Sequence, residues 1–218
     1  MITYFELARQ NWKKAWFNKS FRLNLMVGLV IMIALLILTS FFFKYIEDNP
    51  NGVILHDWVL NKLPSMDVSI PIVCFEVSVV TLLLVRSITS PILCITFLIA
   101  FLFILIFRII TIGLTQLDPP IGLVVLKDPI ADVVYRSGFI KRDLFYSGHA
   151  SILFLSSFCL SKRVDKYYVV SVAILVCILL LIQHVHYTID IVCAPFFAFG
   201  CFSLSKKWLN FQSIISEI

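Results

Sequence analysis

The stretch LNLMVGLVIMIALLILTSFFF at residues 23–43 decides the fold class, because it contains no charged residue. A helix that crosses a lipid bilayer needs about 20 predominantly apolar residues. The stretch is too long for the apolar part of a signal peptide, and it lacks a small-residue cleavage site. It therefore predicts a membrane-anchoring helix.

Five further apolar runs follow along the chain. They cover residues 68–85, 87–107, 144–161, 167–183 and 187–205. Each run is apolar on every side and does not alternate with polar residues, which favours helices over the strands of a membrane barrel. The sequence thus predicts an all-α, polytopic membrane protein built as a bundle of six transmembrane helices.

The composition of the 218-residue chain excludes other classes, because 60% of its residues are hydrophobic and only 14% are charged. A soluble domain of this size cannot bury so much apolar surface, and a disordered chain would contain far less of it. The six cysteines lie in or beside the apolar runs without CxxC spacing, so we interpret them as packed or lipid-facing thiols.

The distribution of lysine and arginine sets the orientation, because these residues concentrate on the cytoplasmic side. With the N-terminus inside, the inner segments hold eleven basic residues and three acids, and the outer segments hold seven basic residues and nine acids. The inner basic residues are Arg9, Lys13, Lys14, Lys19, Arg22, Arg86, Lys162, Arg163, Lys166, Lys206 and Lys207. Both termini are therefore expected to face the cytoplasm.

Three parts are expected along the chain. Residues 1–22 mix aromatic, apolar and basic side chains, which is typical of an amphipathic interfacial segment. Residues 23–205 form the six-helix domain, and residues 206–218 form a short cytoplasmic tail. The basic cluster of the first part is small and lies beside a membrane span, so no nucleic-acid partner is expected. No obligate protein partner is evident.

Polar residues at membrane depth indicate where function resides. His186 and Asp190 are four positions apart, a spacing that places both on one face of a helix. Asp190 would then hold one imidazole nitrogen and leave the other nitrogen to act as a base or nucleophile. A structural His–Asp pair that joins two helices is the alternative interpretation.

A second polar cluster, from Asp143 to His149, lies where an outer loop enters the fourth span. Ser147 suits a helix N-cap, Gly148 lets a ligand approach the backbone closely, and the free N–H groups of a helix start bind anions. His149 would stand over this site and donate a proton. A helix cap followed by an unrelated histidine is the alternative.

Arg108 and Glu76 are the other two charged exceptions. Arg108 ends the third span, where its guanidinium either clamps a phosphate or snorkels to the interface. Glu76 lies within the second span, either as a functional group or as a protonated carboxyl bonded to a neighbouring helix.

The expected orientation brings Arg108, His149 and His186 to the outer boundary of the membrane. Arg108 ends an outward span, His149 begins an inward span, and His186 lies between the last two spans. A nucleophile, a proton donor and positive charge at one boundary suit phosphoryl transfer.

These motifs resemble a known family. Asp143-x3-Ser147-Gly148-His149 with His186-Tyr187-Thr188-x-Asp190 is similar to the sphingomyelin synthase-like branch of the type 2 phosphatidic acid phosphatase superfamily. Looser similarity extends upstream through Phe107-Arg108-x2-Thr111-x3-Thr115-x-Leu117-x2-Pro120, Leu63-Pro64-x2-Asp67 and Cys74-Phe75-Glu76-Val77. The resemblance covers roughly residues 60–205.

The resemblance implies a role for each candidate residue. His186 would be the nucleophile that forms a phosphohistidine, Asp190 would orient it, and His149 would protonate the leaving alkoxide, with no metal or other cofactor required. The phosphate and head group would be bound by Arg108, Asp143, Ser147, Gly148, Glu76 and Tyr187. Further candidates for the phosphate clamp are Arg136, Lys141 and Arg142.

Three functions remain compatible with the sequence. The first is a lipid phosphotransferase that moves a phospho-alcohol head group from a phospholipid to ceramide or diacylglycerol. The second is a lipid phosphate phosphatase, in which water is the acceptor. The third is a metal transporter or metal-bound protein with ligands from His149, His184, His186 and Asp190, although His184 and His186 would point apart on a helix.

The outer loops contain no Asn-x-Ser/Thr sequon, which favours a bacterial inner membrane with a periplasm-facing site. In a eukaryote, the site would face the lumen or the cell exterior.

Overall fold

The computed structural model describes residues 4–49, 51–128, 140–211 and 214. These residues form seven α-helices, and none of them belongs to a named β-strand. The helices are α1 (Tyr4–Phe17), α2 (Lys19–Asp48), α3 (Ser69–Thr89), α4 (Pro91–Thr115), α5 (Gly148–Cys159), α6 (Arg163–Ile182) and α7 (Thr188–Phe211). The prediction of an all-α polytopic membrane protein is confirmed.

Helix starts follow the local sequence. The Asn18 side chain caps α2 by accepting a hydrogen bond from the backbone N–H of Phe21 at 2.8 Å. Ser90 caps α4 in the same way, and Pro91 occupies its first turn, where no backbone N–H is needed. These two caps separate α1 from α2 and α3 from α4 with a single residue between the helices.

Five of the described helices, α2, α3, α4, α6 and α7, are long and apolar enough to cross a membrane. The remaining span, expected over residues 144–161, is shorter: α5 has 12 residues and reaches about 18 Å, against a hydrocarbon thickness of about 30 Å. It starts late because residues 140–147 run as an irregular segment that ends at the Ser147 cap.

Helix α4 lies at the centre of the bundle, packed against α2, α5 and α7. Helix α5 packs between α6 and α7, and α3 packs against α6. Phenylalanines fill the contact between α4, α5 and α7, where Phe97, Phe103, Phe154, Phe158 and Phe197 surround buried Ala100 and Ala198. This packing holds the short helix α5 inside the bundle.

The spanning helices alternate in direction, so their ends collect at two faces. One face carries the starts of α3, α5 and α7 and the ends of α2, α4 and α6. At the opposite face, Arg86 and Asp165 form an ion pair with two hydrogen bonds of 2.7 and 2.9 Å. Helix α1 also lies there, since the Trp12 indole N–H donates to the Ile88 carbonyl at 2.8 Å.

Candidate active site

The buried pair His186 and Asp190 forms the centre of the site. Asp190 Oδ2 lies 3.3 Å from His186 Nδ1 and accepts a second hydrogen bond, 3.0 Å long, from the Tyr187 backbone N–H. The two residues do not share a helix as the spacing predicted, because α7 begins only at Thr188. The contact forms because the Asp190 carboxylate, in the first turn of α7, folds back onto the residues that precede the helix.

His149 lies on the first turn of α5 and faces His186. The centroids of the two imidazole rings are 6.3 Å apart and the rings are inclined by 61°. The two motifs are also joined through the backbone, since the Ser147 N–H donates to the Asp190 carbonyl at 3.3 Å. The buried Ser147 side chain caps α5 by accepting from the Ala150 N–H at 3.4 Å. The structure thus brings together the two histidine motifs that lie far apart in the sequence.

Arg108, Asp143 and Gly148 form a second layer of the site. The guanidinium of Arg108 is buried and pairs with the Asp143 carboxylate. It lies so close to Gly148 that a Cβ atom at this position would be only 2.6 Å from Arg108 Cζ. Gly148 is therefore required for the close approach of Arg108 to the start of α5.

Glu76 and Asp128 flank the other side of His149. Asp128 Oδ2 lies 3.4 Å from His149 Nε2, and one ligand atom each from Glu76, Asp128 and His149 lie within 4.8 Å of one another. Glu76 Oε1 and His149 Nδ1 are buried and make no hydrogen bond to the residues that the structure describes. Asp128 was missed by the sequence analysis, since it lies in a connecting segment 21 positions from its histidine.

A metal ion could be held by Glu76, Asp128 and His149, which form the one suitable group within the described part of the chain. Only His149 is common to this set and to the metal ligands that the sequence analysis considered. His184 lies elsewhere, with its Nδ1 3.0 Å from the Ile121 carbonyl oxygen. Two carboxylates and one imidazole suit a divalent cation, and they suit a proton shared with His149 equally well.

Tyr187 and Arg142 occupy structural positions beside the site. The Tyr187 hydroxyl donates to the Asp118 carbonyl at 2.8 Å and accepts from the Leu55 N–H at 3.2 Å. Arg142 Nε donates to Asp118 Oδ1 at 2.7 Å, and the backbone N–H groups of Lys141 and Arg142 donate to a Glu47 carboxylate oxygen. Arg136 lies outside the described residues.

Asp57 is a further residue that the sequence analysis missed. Its carboxylate accepts hydrogen bonds from the backbone N–H of Thr188 at 2.7 Å and from the Thr188 hydroxyl at 3.0 Å. Burial acts to raise the pKa of Asp57, but the hydrogen bonds from Thr188 and from the loop backbone hold that pKa below its usual value. Asp57 thus caps α7 from a segment 131 positions away.

Residues 142–207 match the sequence model of the PAP2 superfamily C-terminal family. The matched range covers less than a third of the chain and includes both histidine motifs. The match supports the type 2 phosphatidic acid phosphatase superfamily, and with it a lipid enzyme of the phosphatase or phosphotransferase type. Comparisons with curated proteins and with solved structures gave no match.

Proposed function

We propose that this protein is a lipid phosphotransferase of the sphingomyelin synthase-like type. It moves a phospho-alcohol head group from a phospholipid to a lipid alcohol, ceramide or diacylglycerol, through a phosphohistidine. The observation that carries the proposal is the pair of imidazoles: His186 is held at Nδ1 by Asp190, and its ring faces His149 at 6.3 Å.

In the first step, Nε2 of His186 attacks phosphorus. A phosphorus–nitrogen bond forms, and the bond between phosphorus and the glycerol oxygen breaks. His149 gives its proton to that oxygen, so that diacylglycerol leaves as a neutral alcohol. Asp190 keeps the Nδ1 proton in place and stabilises the charge that develops on the ring.

In the second step, the acceptor alcohol attacks the phosphohistidine. His149, which is now neutral, takes the proton of the acceptor hydroxyl as the new phosphorus–oxygen bond forms. The phosphorus–nitrogen bond breaks and returns His186 to its starting state. The same two groups thus serve both half-reactions in opposite senses, and no net proton is consumed.

The burial of the nucleophile supports a lipid acceptor over water. The His186 residue is 1% exposed, and Asp190 is fully buried. A closed site of this kind protects a reactive intermediate from hydrolysis.

Glu76 and Asp128 support this chemistry as carboxylates that lie close to His149. The sequence analysis assigned Glu76 to the head group, whereas its position beside His149 favours an electrostatic role on that ring. Carboxylates beside an imidazole stabilise its protonated form, which is the form that donates to the leaving oxygen. Arg108, paired with Asp143 at the start of α5, supplies positive charge for the phosphoryl oxygens.

The position of the site supports an outward-facing enzyme. The histidines lie at the face formed by the starts of α5 and α7, away from the Arg86–Asp165 pair and the basic inner segments. Under the rule that basic residues stay in the cytoplasm, this face is the periplasmic one in a bacterial inner membrane.

The central experiment uses the full chain in lipid vesicles with a head-group-labelled phospholipid. Ceramide or a short-chain diacylglycerol is added in one arm and omitted in the other. A new labelled lipid is expected only with the acceptor. Release of the water-soluble labelled phospho-alcohol without a new lipid would show that water is the acceptor and would refute the transferase.

Two additions test the mechanism. A rapid alkaline quench followed by mass spectrometry is expected to find the phospho-alcohol adduct on His186, and the His186→Ala variant should lose both the adduct and turnover. The same assay in the presence of a chelator tests the metal alternative, because loss of activity that Zn²⁺ or Mg²⁺ restores would demonstrate a metal requirement.

A further inference from the structure

The segment between α2 and α3 is fixed to the rest of the protein at its start. Val53 forms an isolated bridge with Leu117: its N–H donates to the Gln116 carbonyl at 3.0 Å, and its carbonyl accepts from the Asp118 N–H at 3.1 Å. A Cβ on Gly52 would lie 2.6 Å from the Asp118 nitrogen, so only glycine allows the two backbones to approach this closely.

The same segment is fixed again at its middle and end. The Leu55 N–H donates to the Tyr187 hydroxyl, and the Asp57 carboxylate binds Thr188. Leu60 is buried in a cluster with Leu144 and Tyr187. Residues 52–60 therefore have a defined backbone position beside the start of α7.

Despite this fixed backbone, the segment exposes four large apolar residues, Val53, Ile54, Leu55 and Trp58, and three of them are more than half exposed. Val53 is 62% exposed, Ile54 is 55% exposed and Trp58 is 67% exposed. The Lys62 ammonium lies 5.1 Å from the centroid of a Trp58 ring. A tryptophan beside a lysine is typical of the membrane–water interface, where the indole lies among the lipid carbonyls and the ammonium reaches the phosphates.

We infer that Val53, Ile54 and Trp58, the outer apolar loop, insert into the interfacial layer of the adjacent lipid leaflet. The segment joins the end of α2 at Asp48 to the start of α3 at Ser69, so it lies at the level where these spans leave the hydrocarbon. Three side chains on one short segment offer far less area than the roughly 800 Å² per partner of a stable protein interface, which favours lipid over a second copy of the chain.

The consequence is a mechanical link between the lipid surface and the histidine site. The outer apolar loop contacts lipid on one side, and Asp57 in the same segment holds the first residue of α7 on the other. Movement of the loop out of the interface would displace Thr188, two positions after His186. The lipid contact itself is independent of the proposed transferase activity.

The inference can be tested on the unmodified chain in phospholipid vesicles. One sample contains a phospholipid with a photoactivatable diazirine near the carbonyl end of its acyl chain, and a second contains a water-soluble diazirine. Labelled residues are located by peptide mass spectrometry. The connection between α5 and α6, which carries exposed Ser161 and Lys162, provides the comparison peptide for the aqueous probe.

The expected result is that the lipid probe labels Ile54 and Trp58 severalfold more than the aqueous probe does, with the reverse preference at the comparison peptide. Predominant aqueous labelling of Ile54 and Trp58 would overturn the inference. Protection from both probes that disappears when the protein is diluted in lipid would also overturn it, because it would show that a second copy covers the loop.

The double variant Ile54→Ser/Trp58→Ser adds an independent measurement. If the loop inserts into lipid, hydrogen exchange at the first turn of α7 in vesicles should increase in this variant. In detergent micelles, a smaller difference from the wild-type chain is expected. Unchanged exchange in vesicles would refute the proposed link between the lipid surface and α7.

Discussion

The guanidinium of Arg108 occupies the space in which a side chain on Gly148 would begin. A Cβ at residue 148 would lie 2.6 Å from Arg108 Cζ and 3.1 Å from Arg108 Nη2. The guanidinium also pairs with the Asp143 carboxylate, five residues before the start of α5. The position of the arginine at the helix start therefore depends on the absence of one methyl group.

We predict that Gly148→Ala lowers transfer activity by about a hundredfold, because it displaces the Arg108 charge from the phosphoryl site. The matched control is Gly200→Ala on α7, where a Cβ meets no atom within 4 Å. Both variants are assayed for kcat/KM with labelled phospholipid and for thermal unfolding. A Gly148→Ala protein with unchanged kcat/KM would show that Arg108 does not act on the substrate.

Asp190→Asn is expected to lower the rate of adduct formation by roughly two to four orders of magnitude. An amide at this position can present its NH2 group to His186 Nδ1, which would move the ring proton to Nε2 and block the attacking nitrogen. The measurement is the amount of phospho-alcohol adduct on His186 after a single turnover. The control is Asp48→Asn, an exposed acid at the end of α2. Normal adduct formation in Asp190→Asn would contradict the assigned role.

The long apolar runs predicted the helices because apolar length is a local property. The sequence placed four spans within six residues of their observed ends. Helix α4, however, runs to Thr115, eight residues beyond the predicted end at residue 107, so Arg108 lies inside the helix and not at its end. The sequence also identified His149, His186 and Asp190, which the structure brings together. The sequence did not predict features that depend on contacts between distant parts of the chain. The short α5 could not be inferred from hydropathy, since Leu144 and Tyr146 are buried although they precede the helix.

The residues that the sequence analysis missed are loop acids with distant partners. Asp128 and Asp57 lie 21 and 131 positions from the residues that they bind. Periodicity relates neighbours on one helix, so it gives no signal for such pairs. Glu76 was found as an exception at membrane depth, but its proximity to His149 depends on how α3 packs against α5.

Glu76→Gln is expected to impair the expulsion of poor leaving groups selectively. If Glu76 keeps His149 ready to donate a proton, its loss should slow transfer from a phospholipid, whose alkoxide must be protonated, by about tenfold or more. A p-nitrophenyl phosphodiester needs no protonation, so its reaction should change little. The measurement is the ratio of the rate with the phospholipid to the rate with the p-nitrophenyl phosphodiester. His149→Ala, which lacks the proton donor, shows how far this ratio falls when protonation of the leaving group is lost. Equal losses on the two substrates would indicate that Glu76 acts in binding or folding.

Asp57→Ala is expected to weaken both the start of α7 and the activity of the site. Loss of a helix cap costs about 1 kcal/mol of stability, and Thr188 would lose both of its contacts to the outer segment. We therefore expect lower kcat with little change in KM, together with a lower melting temperature at neutral pH. The control is Asn61→Ala, an exposed residue in the same segment.

The difference in melting temperature between the wild-type chain and Asp57→Ala should depend on pH, and this dependence identifies the charge of Asp57 as its cause. Since hydrogen bonds hold the pKa of Asp57 below its usual value, its stabilising contribution is full above the unfolded pKa of about 3.9. The contribution disappears as the pH falls through the lower folded value. The gap in melting temperature between the wild-type chain and Asp57→Ala should therefore be constant from pH 7 to about pH 5 and should shrink in more acidic buffer. A gap that persists unchanged below pH 3 would mean that Asp57 acts through packing and not through its carboxylate.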